Sequence, residues 1–177
     1  PQAAKALDHA LVGTLSALAV GRARYTMLCQ EDGGVIDDLV VYRLAEERFV
    51  VVANASNAPE VLSELSQRAE GFTAHVYDMS ADTALIAVQG PRALEIVAIV
   101  APGQRPVLEA MPYYAWATVR ILGHDMIVSR TGYTGEDGFE LYVPNALAVP
   151  LWRALLEAGS PLGLVPAGLS ARDSLRL

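Results

Sequence analysis

The run Gly33–Tyr42, with the sequence GGVIDDLVVY, constrains the fold of this chain more than any other stretch. A glycine pair followed by Val, Ile and Leu is typical of a strand that leaves a hairpin turn. Two carboxylates, Asp37 and Asp38, interrupt that strand, and side-chain alternation directs them to opposite faces of the sheet. An ionised carboxylate on an apolar face is costly without donors, so at least one of the two needs a partner or a ligand.

Alternation also assigns the other side chains of this strand to the two faces. The predicted neighbours are Ile36, Val40 and Tyr42 for Asp38, and Val35, Leu39 and Val41 for Asp37.

The preceding segment, residues 24–30, is predicted to be the partner strand of the hairpin. A loop of either two or four residues places Tyr25 opposite Val40 and therefore on the face of Asp38. Tyr25 would then lie diagonal to both Asp38 and Tyr42, at roughly 7–8 Å. One bulged residue would break this arrangement. The alternative is an apolar face with two core tyrosines and an Asp38 bonded to backbone donors.

The rest of the chain predicts strands and helices around this hairpin. An irregular, proline-rich connector is predicted over residues 102–112, and a turn over 123–125. The second helix is predicted to begin with Ser56 or Asn57 as its N-cap. Predicted helices begin near residues 1, 57, 91, 145 and 166, and predicted strands cover residues 49–53, 72–77, 83–88, 114–122, 126–129 and 139–143.

A weak internal repeat predicts two related halves. The Pro-x-Ala pattern at Pro1 returns at Pro91, each time at the start of a predicted helix. We therefore expect an α+β fold with antiparallel sheets flanked by helices. The connector divides it into 1–101, with the central hairpin, and 102–177, with a glycine-rich loop. The chain ends within a predicted helix, so we interpret it as a fragment of a longer protein.

Composition and charge argue against several kinds of partner. The 177 residues are 53% hydrophobic, which is sufficient for a substantial core in one or two domains. The net charge of −7, without a run of Lys or Arg, predicts neither nucleic acid nor anionic membrane as a partner. No apolar run reaches the roughly 18 residues of a membrane span. The single cysteine, Cys29, suits a reducing compartment such as the cytoplasm.

The candidate chemistry is carboxylate and aromatic. The loop 130–138 has three glycines, which favour close backbone approach to a ligand, but it matches neither nucleotide-binding pattern. The histidines lack the spacing of a metal site, so no metal is predicted. A carboxylate suits a flat ligand with adjacent ring N–H and amino donors. From composition alone, the simpler interpretation makes Glu140 a solvent-facing residue at a strand edge and Arg172 an exposed helix charge.

Three motifs then resemble a known family. They are Gly33–Tyr42, Arg130–Glu140 (RTGYTGEDGFE) and Gly168–Arg176 (GLSARDSLR). Together, and in this order, they closely resemble the aminomethyltransferase, or T-protein, family of the glycine cleavage system. The resemblance runs from Pro1 to Leu177 and implies that the start of the first half and a C-terminal β-rich domain are missing from this sequence.

The resemblance implies a reaction. Members transfer the aminomethyl carbon from lipoylated H-protein to tetrahydrofolate, giving 5,10-methylenetetrahydrofolate, ammonia and the dihydrolipoyl carrier. The compartment implied is the bacterial cytoplasm, or the mitochondrial matrix in a eukaryote. Asp38 matches the catalytic aspartate of the family. The positions matching folate-contacting or folate-lining residues are Glu140, Arg172, Tyr25, Tyr42, Tyr113, Tyr133 and Asn54.

Two alternatives share the same folate module. One is a demethylating amine oxidase that carries this module behind a flavin domain. The other is a folate-binding protein without transferase activity, such as the relatives that assist iron–sulfur assembly. Asp38 together with the Gly-Tyr-Thr-Gly-Glu loop favours the transferase.

Overall fold

The computed structural model describes residues 1–175, so the predicted helical end at Arg176 and Leu177 lies outside the described residues. The chain divides into two compact units, Pro1–Asp78 and Met79–Leu177. Each unit contains one antiparallel sheet with helices packed on it. The α+β class with antiparallel sheets flanked by helices is confirmed.

The first unit is a three-stranded sheet in the order β1-β2-β3 with two α-helices. Its core joins Leu28, Leu39 and Val41 of the sheet to Val61 and Leu65 of the second helix. The elements are α1 (Ala3–Ala10), a 3-10 turn (Leu15–Ala17), β1 (Ala23–Cys29), β2 (Val35–Ala45), β3 (Arg48–Val52) and α2 (Ala58–Arg68).

The β1-β2 hairpin has the predicted pairing of Tyr25, but its loop length differs from the prediction. Tyr25 pairs with Val40, as expected. The loop, however, has three residues, because the N–H of Gln30 donates to the carbonyl oxygen of Gly34 at 2.7 Å. Leu28 pairs with Asp37 while Cys29 pairs with Val35, so Ile36 is a bulge. The three-residue loop shifts the strand register by one residue, and the bulge shifts it back.

The bulge exchanges the faces of two residues. Val35 is 58% exposed, whereas Ile36 packs against the core that contains Leu39 and Val41. The predicted faces of Val35 and Ile36 were therefore wrong, because a bulge reverses the alternation on its turn side. Beyond the bulge, Asp37 and Asp38 keep their predicted opposite faces.

The predicted strand at residues 72–77 is absent. This segment has no regular secondary structure, and its described backbone contacts include a hydrogen bond from Gln2 N to Thr73 O at 3.0 Å. Tyr77 is 79% exposed. The alternating pattern indicated a strand, but within residues 1–175 no neighbouring strand pairs with it, and an unpaired strand has no ladder to stabilise it.

The second unit is a four-stranded antiparallel sheet in the order β4-β7-β6-β5. One face carries the core, which includes Phe139 and Leu141 of β7 and Leu151 and Leu155 of the long helix. The elements are β4 (Thr83–Gln89), α3 (Ala93–Val100), α4 (Arg105–Ala110), β5 (Trp116–Ile121), β6 (His124–Ser129), β7 (Gly138–Pro144), α5 (Asn145–Gly159), a 3-10 turn (Ser160–Leu162) and α6 (Leu169–Leu175).

The proline-rich connector is partly helical. Helix α4 lies within residues 102–112. The helix can form there because Pro106 occupies its first turn, where proline is tolerated. Leu108 of α4 and Val97 of α3 are fully buried in one core. The proposed division between 1–101 and 102–177 therefore falls inside the second unit, whereas the compact units divide at Asp78 and Met79.

The β5-β6 turn is also tighter than predicted. Ile121 pairs with His124, which leaves Leu122 and Gly123 as a two-residue turn. Both have positive φ, 50° and 82°, as a type I′ turn requires. His124 and Asp125 belong to β6 and not to the turn.

No helix within residues 1–175 is long and apolar enough to cross a bilayer.

Candidate functional site

Asp38 lies in the first unit with one described donor on each carboxylate oxygen. The Tyr25 hydroxyl donates to Oδ2 at 2.9 Å, and Nδ2 of Asn54 donates to Oδ1 at 2.9 Å. The diagonal placement of Tyr25 and Asp38 expected from the register brings them into direct contact. The alternative in which backbone donors satisfy Asp38 is wrong, because both of these donors are side chains. Tyr42, on the same strand, is buried at 1% exposure.

Asp37 is the buried member of the pair and is only 3% exposed. Its Oδ2 accepts from the backbone N–H of Asn54 at 3.0 Å. Its Oδ1 accepts from Nδ2 of Asn54 and from Nδ2 of Asn57, each at 2.8 Å. Protein donors therefore satisfy Asp37, as burial of a carboxylate requires.

Asn57 has a role that sequence reasoning missed. It stands at the N-cap position of α2, but neither it nor a neighbour makes a side-chain cap there. Asn57, one of the two predicted candidates, is the N-cap residue, but its side chain makes no capping bond because its amide donates to Asp37 Oδ1 instead. The signal available in the sequence was the pair Asn54 and Asn57, directly after a strand next to Asp37.

Glu140 lies in the second unit on β7, which is an inner strand between β4 and β6. The Thr131 hydroxyl donates to Glu140 Oε2, and the Thr131 and Ser129 hydroxyls are 2.7 Å apart. Ser129 and Thr131 are buried, and Glu140 is half-buried. The simpler interpretation, a solvent-facing residue at a strand edge, is therefore wrong for Glu140.

Tyr113, Tyr133 and Arg172 all contact the glycine-rich loop or belong to it. The Tyr113 hydroxyl donates to the carbonyl oxygen of Gly132 at 3.1 Å. The guanidinium carbon of Arg172 lies 5.1 Å from the ring centroid of Tyr133, a distance at which a cation interacts favourably with an aromatic face. Arg172 therefore has a described partner in the loop and is not simply an exposed helix charge.

Tyr114 also belongs with these residues, although the sequence did not single it out. Its φ of 58° is left-handed, which is unusual for a bulky residue. Its ring meets that of Tyr113 edge to face, with centroids 4.9 Å apart. Burial raises the pKa of Tyr114 above its usual value, and the charges of Tyr113 and Glu140 raise it further. The Tyr-Tyr pair ahead of β5 was the available signal.

Two of the loop glycines make room for a side chain of the same chain. Nε2 of Gln89 donates to the carbonyl oxygens of Thr131 and Phe139 at 3.0 and 3.3 Å. A Cβ on Gly132 would lie 1.9 Å from Oε1 of Gln89, and one on Gly138 would lie 2.2 Å away. The close approach that these glycines permit is therefore to Gln89, which is a contact within the protein.

An ion pair closes the base of the same loop. Arg130 donates through Nε and Nη2 to the two carboxylate oxygens of Asp137, each at 2.7 Å, and through Nη1 to Met111 O at 2.9 Å. The hydrogen bonds between the two side chains lower the pKa of Asp137 and raise the pKa of Arg130. Both ends of the loop are thereby fixed.

The family follows from the sequence as a whole. The model of the GCVT N-terminal domain matches residues 1–177. The chain belongs to this family. The resemblance inferred from the three motifs is confirmed.

Curated relatives of this GCVT-domain chain are named aminomethyltransferases. The protein from Streptomyces avermitilis is 54% identical over the whole chain, and that from Saccharopolyspora erythraea is 53% identical. In both comparisons the chain covers 47% of the relative, so it spans about half the length of the curated relatives it matches.

Solved structures agree with the fold of the GCVT-domain chain. The crystal structure of the glycine cleavage system aminomethyltransferase T from Bartonella henselae is 38% identical, with a TM-score of 0.87 over 99% of this chain and 45% of that one. The heterotetrameric sarcosine oxidase from Corynebacterium sp. U-96 matches with a TM-score of 0.59 at 18% identity, over 85% of this chain and 69% of that one. The second likeness shows a shared fold alone.

The described part of the GCVT-domain chain, residues 1–175, contains no group of three or more His, Cys, Asp or Glu side chains that could hold a metal ion. The candidate functional residues are instead two clusters, one in each unit. The Asp38 cluster consists of Tyr25, Asp37, Asp38, Asn54 and Asn57, and the Glu140 cluster consists of Tyr113, Tyr114, Ser129, Thr131 and Glu140.

Proposed function

We propose that the chain is part of an aminomethyltransferase of the glycine cleavage system. The protein would transfer the aminomethyl carbon from lipoylated H-protein to tetrahydrofolate, giving 5,10-methylenetetrahydrofolate, ammonia and dihydrolipoyl H-protein. Curated relatives at 54% and 53% identity, named aminomethyltransferases, support this proposal. The observation that carries it is the carboxylate of Asp38, with one side-chain donor on each oxygen.

The residues present fit tetrahydrofolate chemically. Bound tetrahydrofolate supplies the nitrogens that accept the one-carbon unit. The Glu140 carboxylate is an acceptor suited to the ring N–H and amino donors of a pterin. Its Oε2 already accepts from Thr131, which fixes the orientation of the carboxylate. Partial exposure of Tyr25, Tyr113 and Tyr133 makes their rings available to a flat ligand.

The contacts and burial of the other site residues suggest a different role for each. Arg172 packs on Tyr133, so a role in the folate site includes holding that ring. Tyr42 is buried, which favours a role in supporting the strand of Asp38 over direct contact with a ligand. Asn54 bonds to both aspartates.

Asp38 is proposed as the catalytic residue. In the ionised form its carboxylate would accept a hydrogen bond from the attacking amine and keep that nitrogen oriented. Its negative charge would also stabilise positive charge that develops at the aminomethyl carbon as ammonia leaves. The Tyr25 hydroxyl fixes the oxygen that it contacts, so less reorganisation is needed during the reaction.

The test is methylenetetrahydrofolate formation by the full-length protein from aminomethylated H-protein. We expect Asp38→Asn to reduce turnover by about 10² or more, the range for a positioned acid–base group. Asp32→Asn is the matched control, because Asp32 is in the turn of the same hairpin and contacts Gly34 N. A wild-type protein that forms no product would refute the transferase assignment, and an unchanged rate in Asp38→Asn would refute the role of Asp38.

The role of Glu140 is tested by calorimetric titration of the full-length protein with tetrahydrofolate. Because a lost bond to a charged group costs roughly 1.5–3 kcal/mol, Glu140→Ala should weaken binding about tenfold or more. Glu136→Ala, at an exposed position of the same loop, is the control. Equal affinity of the wild type and Glu140→Ala would show that Glu140 does not contact the ligand.

A further inference from the structure

One amide links the two aspartates of the Asp38 cluster, although they point to opposite faces of the sheet. Nδ2 of Asn54 lies 2.8 Å from Oδ1 of Asp37 and 2.9 Å from Oδ1 of Asp38. It is also 3.2 Å from the carbonyl oxygen of Asp38. A side-chain amide nitrogen carries two hydrogens, so it can donate to each carboxylate at the same time.

The orientation of this amide is fixed from its buried side. Asp37 is 3% exposed and accepts from Asn54 twice, once from the backbone N–H at 3.0 Å and once from the side chain. Asn57 adds a third donor to Asp37 at 2.8 Å. The backbone and the side chain of Asn54 are thereby bonded to one buried group, and rotation of its amide would break a bond to a buried carboxylate.

Rotation of the Asp38 carboxylate is restricted as a result. Asn54 holds Oδ1, and Tyr25 holds Oδ2 on the other side. We propose that Asn54 is a positioning residue for Asp38 and that Asp37 is its buried anchor. This inference rests on the proposed function, and it assigns Asn54 to orienting the carboxylate instead of contacting the folate.

The residue type at position 54 follows from this geometry. An aspartate there would place a third carboxylate against two others and would have no hydrogen to donate. An alanine would remove the side-chain bonds to both Asp37 and Asp38 while keeping the backbone bond. Asn54→Ala is therefore the informative variant, and Asn57→Ser loosens the anchor without altering Asn54 itself.

The test measures kcat and the KM for tetrahydrofolate in the full-length protein. Because small misplacement of a catalytic group costs up to about 10²-fold, we expect Asn54→Ala to lower kcat by about 10- to 100-fold. Its KM should change by less than about twofold, because no ligand contact is lost. Asn57→Ser should lower kcat in the same way but by less. Asp32→Asn again serves as the control.

The double variant Asn54→Ala with Asp38→Asn separates positioning from an independent effect. If Asn54 acts through Asp38, the double variant should turn over within about twofold of Asp38→Asn alone. If the fold-reduction in kcat of the double variant equalled the product of the two single fold-reductions, the proposal would be overturned. So would an increase in KM with kcat unchanged, which indicates direct contact between Asn54 and folate.

A second measurement does not depend on activity. The urea midpoints of the wild type, Asn54→Ala, Asp38→Ala and the double variant of these two form a thermodynamic cycle, because alanine at position 38 leaves no side-chain acceptor for the Asn54 amide. Coupling predicts that the double variant loses less than the sum of the two single losses, and strict additivity would overturn the proposal. If the wild type forms no methylenetetrahydrofolate, the proposed function fails, but this cycle still shows whether Asn54 holds Asp38.

Discussion

At the scale of single residues, Asp37 and Asp38 are neighbours of one type that differ in their surroundings. Amide donors surround the buried Asp37, whereas the half-buried Asp38 is bonded to Tyr25 and Asn54. Alternation along β2 creates this difference, because it turns one side chain towards the core and the next away from it. We therefore propose a structural role for the buried carboxylate, and its neighbour is the candidate for chemistry.

The first prediction concerns Asp37→Asn. The substitution replaces an acceptor oxygen with a donor against three N–H groups, so at least one buried bond is lost and the free energy of unfolding falls by about 1–3 kcal/mol. Urea denaturation of this variant and of Asp32→Asn measures the loss. If Asp37→Asn were as stable as the wild type but lost as much turnover as Asp38→Asn, the two roles would be reversed.

The second prediction concerns Gly132. Its Cβ would come within 1.9 Å of the Gln89 amide, so Gly132→Ala should lower the unfolding free energy by about 1–3 kcal/mol through overpacking. Gly168→Ala is the control, because a Cβ on Gly168 meets nothing within 4 Å. The double variant with Gln89→Ala should recover part of the loss from Gly132→Ala. No recovery would mean that another neighbour or the backbone limits the site.

At the scale of elements, the glycine-rich loop depends on the Arg130–Asp137 pair. The folded-state pKa of Asp137 is lowered, chiefly by the bond from Arg130. A carboxyl group with a lowered folded pKa stabilises the protein above its unfolded pKa of about 3.9, and this contribution is lost as pH falls through the folded value. Stability from this pair should therefore be complete near neutrality and decline below about pH 4.

The third prediction tests this pH dependence. Asp137→Asn should cost on the order of 1 kcal/mol at pH 7, since the pair is bidentate but partly exposed. The difference in unfolding free energy between the wild type and Asp137→Asn should shrink as the pH is lowered below about 4. Asp125→Asn, in an exposed pair with Arg120 at 3.3 Å, should show a smaller difference. A pH-independent difference for Asp137→Asn would contradict the ion-pair explanation.

The elements also show what the sequence could predict and what it could not. The pairing of Tyr25 with Val40 was correctly predicted although the loop has three residues and not two or four, because the bulge at Ile36 restores the register. The bulge at Ile36 was not, since a run of branched residues carries no mark of one extra residue. Helix α4 was missed because proline is compatible with both a connector and a first helical turn.

The candidate site was predictable to a similar extent. Asp38 and Tyr25 followed from strand geometry, and the family motifs indicated Glu140 and Arg172. The contacts of Asn57 with Asp37 and of Gln89 with the loop were not predicted, because neither pair lies within one hairpin, where the turn sets which residues face each other. Pattern reasoning within one element gives no information on such pairs.

At the scale of the whole molecule, the chain consists of two units, each with its own apolar core. Residues 73–78 at the end of the first unit have no regular secondary structure. Most of their side chains are exposed, so this stretch has little burial to resist local opening. It is the expected point of attack by a protease.

The fourth prediction is that chymotrypsin cuts the 177-residue chain first after Tyr77. Tyr77 is 79% exposed, whereas Tyr113 is 52% exposed and bonds to the backbone of Gly132, so Tyr113 should resist longer. Mass spectrometry of early digestion products identifies the cut, and Tyr77→Ser should delay it. A first cut within β2 or β7 would show that the unit concerned is less stable than its burial indicates.

The three-residue loop and the Ile36 bulge of the central hairpin have a consequence for insertions and deletions. Core packing fixes the strands on the Tyr25 side of the bulge, whereas residues 31–35 at the tip are exposed and pack against no core. A residue gained or lost at the tip can be absorbed there by a change in the loop or the bulge. We therefore expect the turn to tolerate changes in length, or an engineered tag, without loss of the bond between Tyr25 and Asp38.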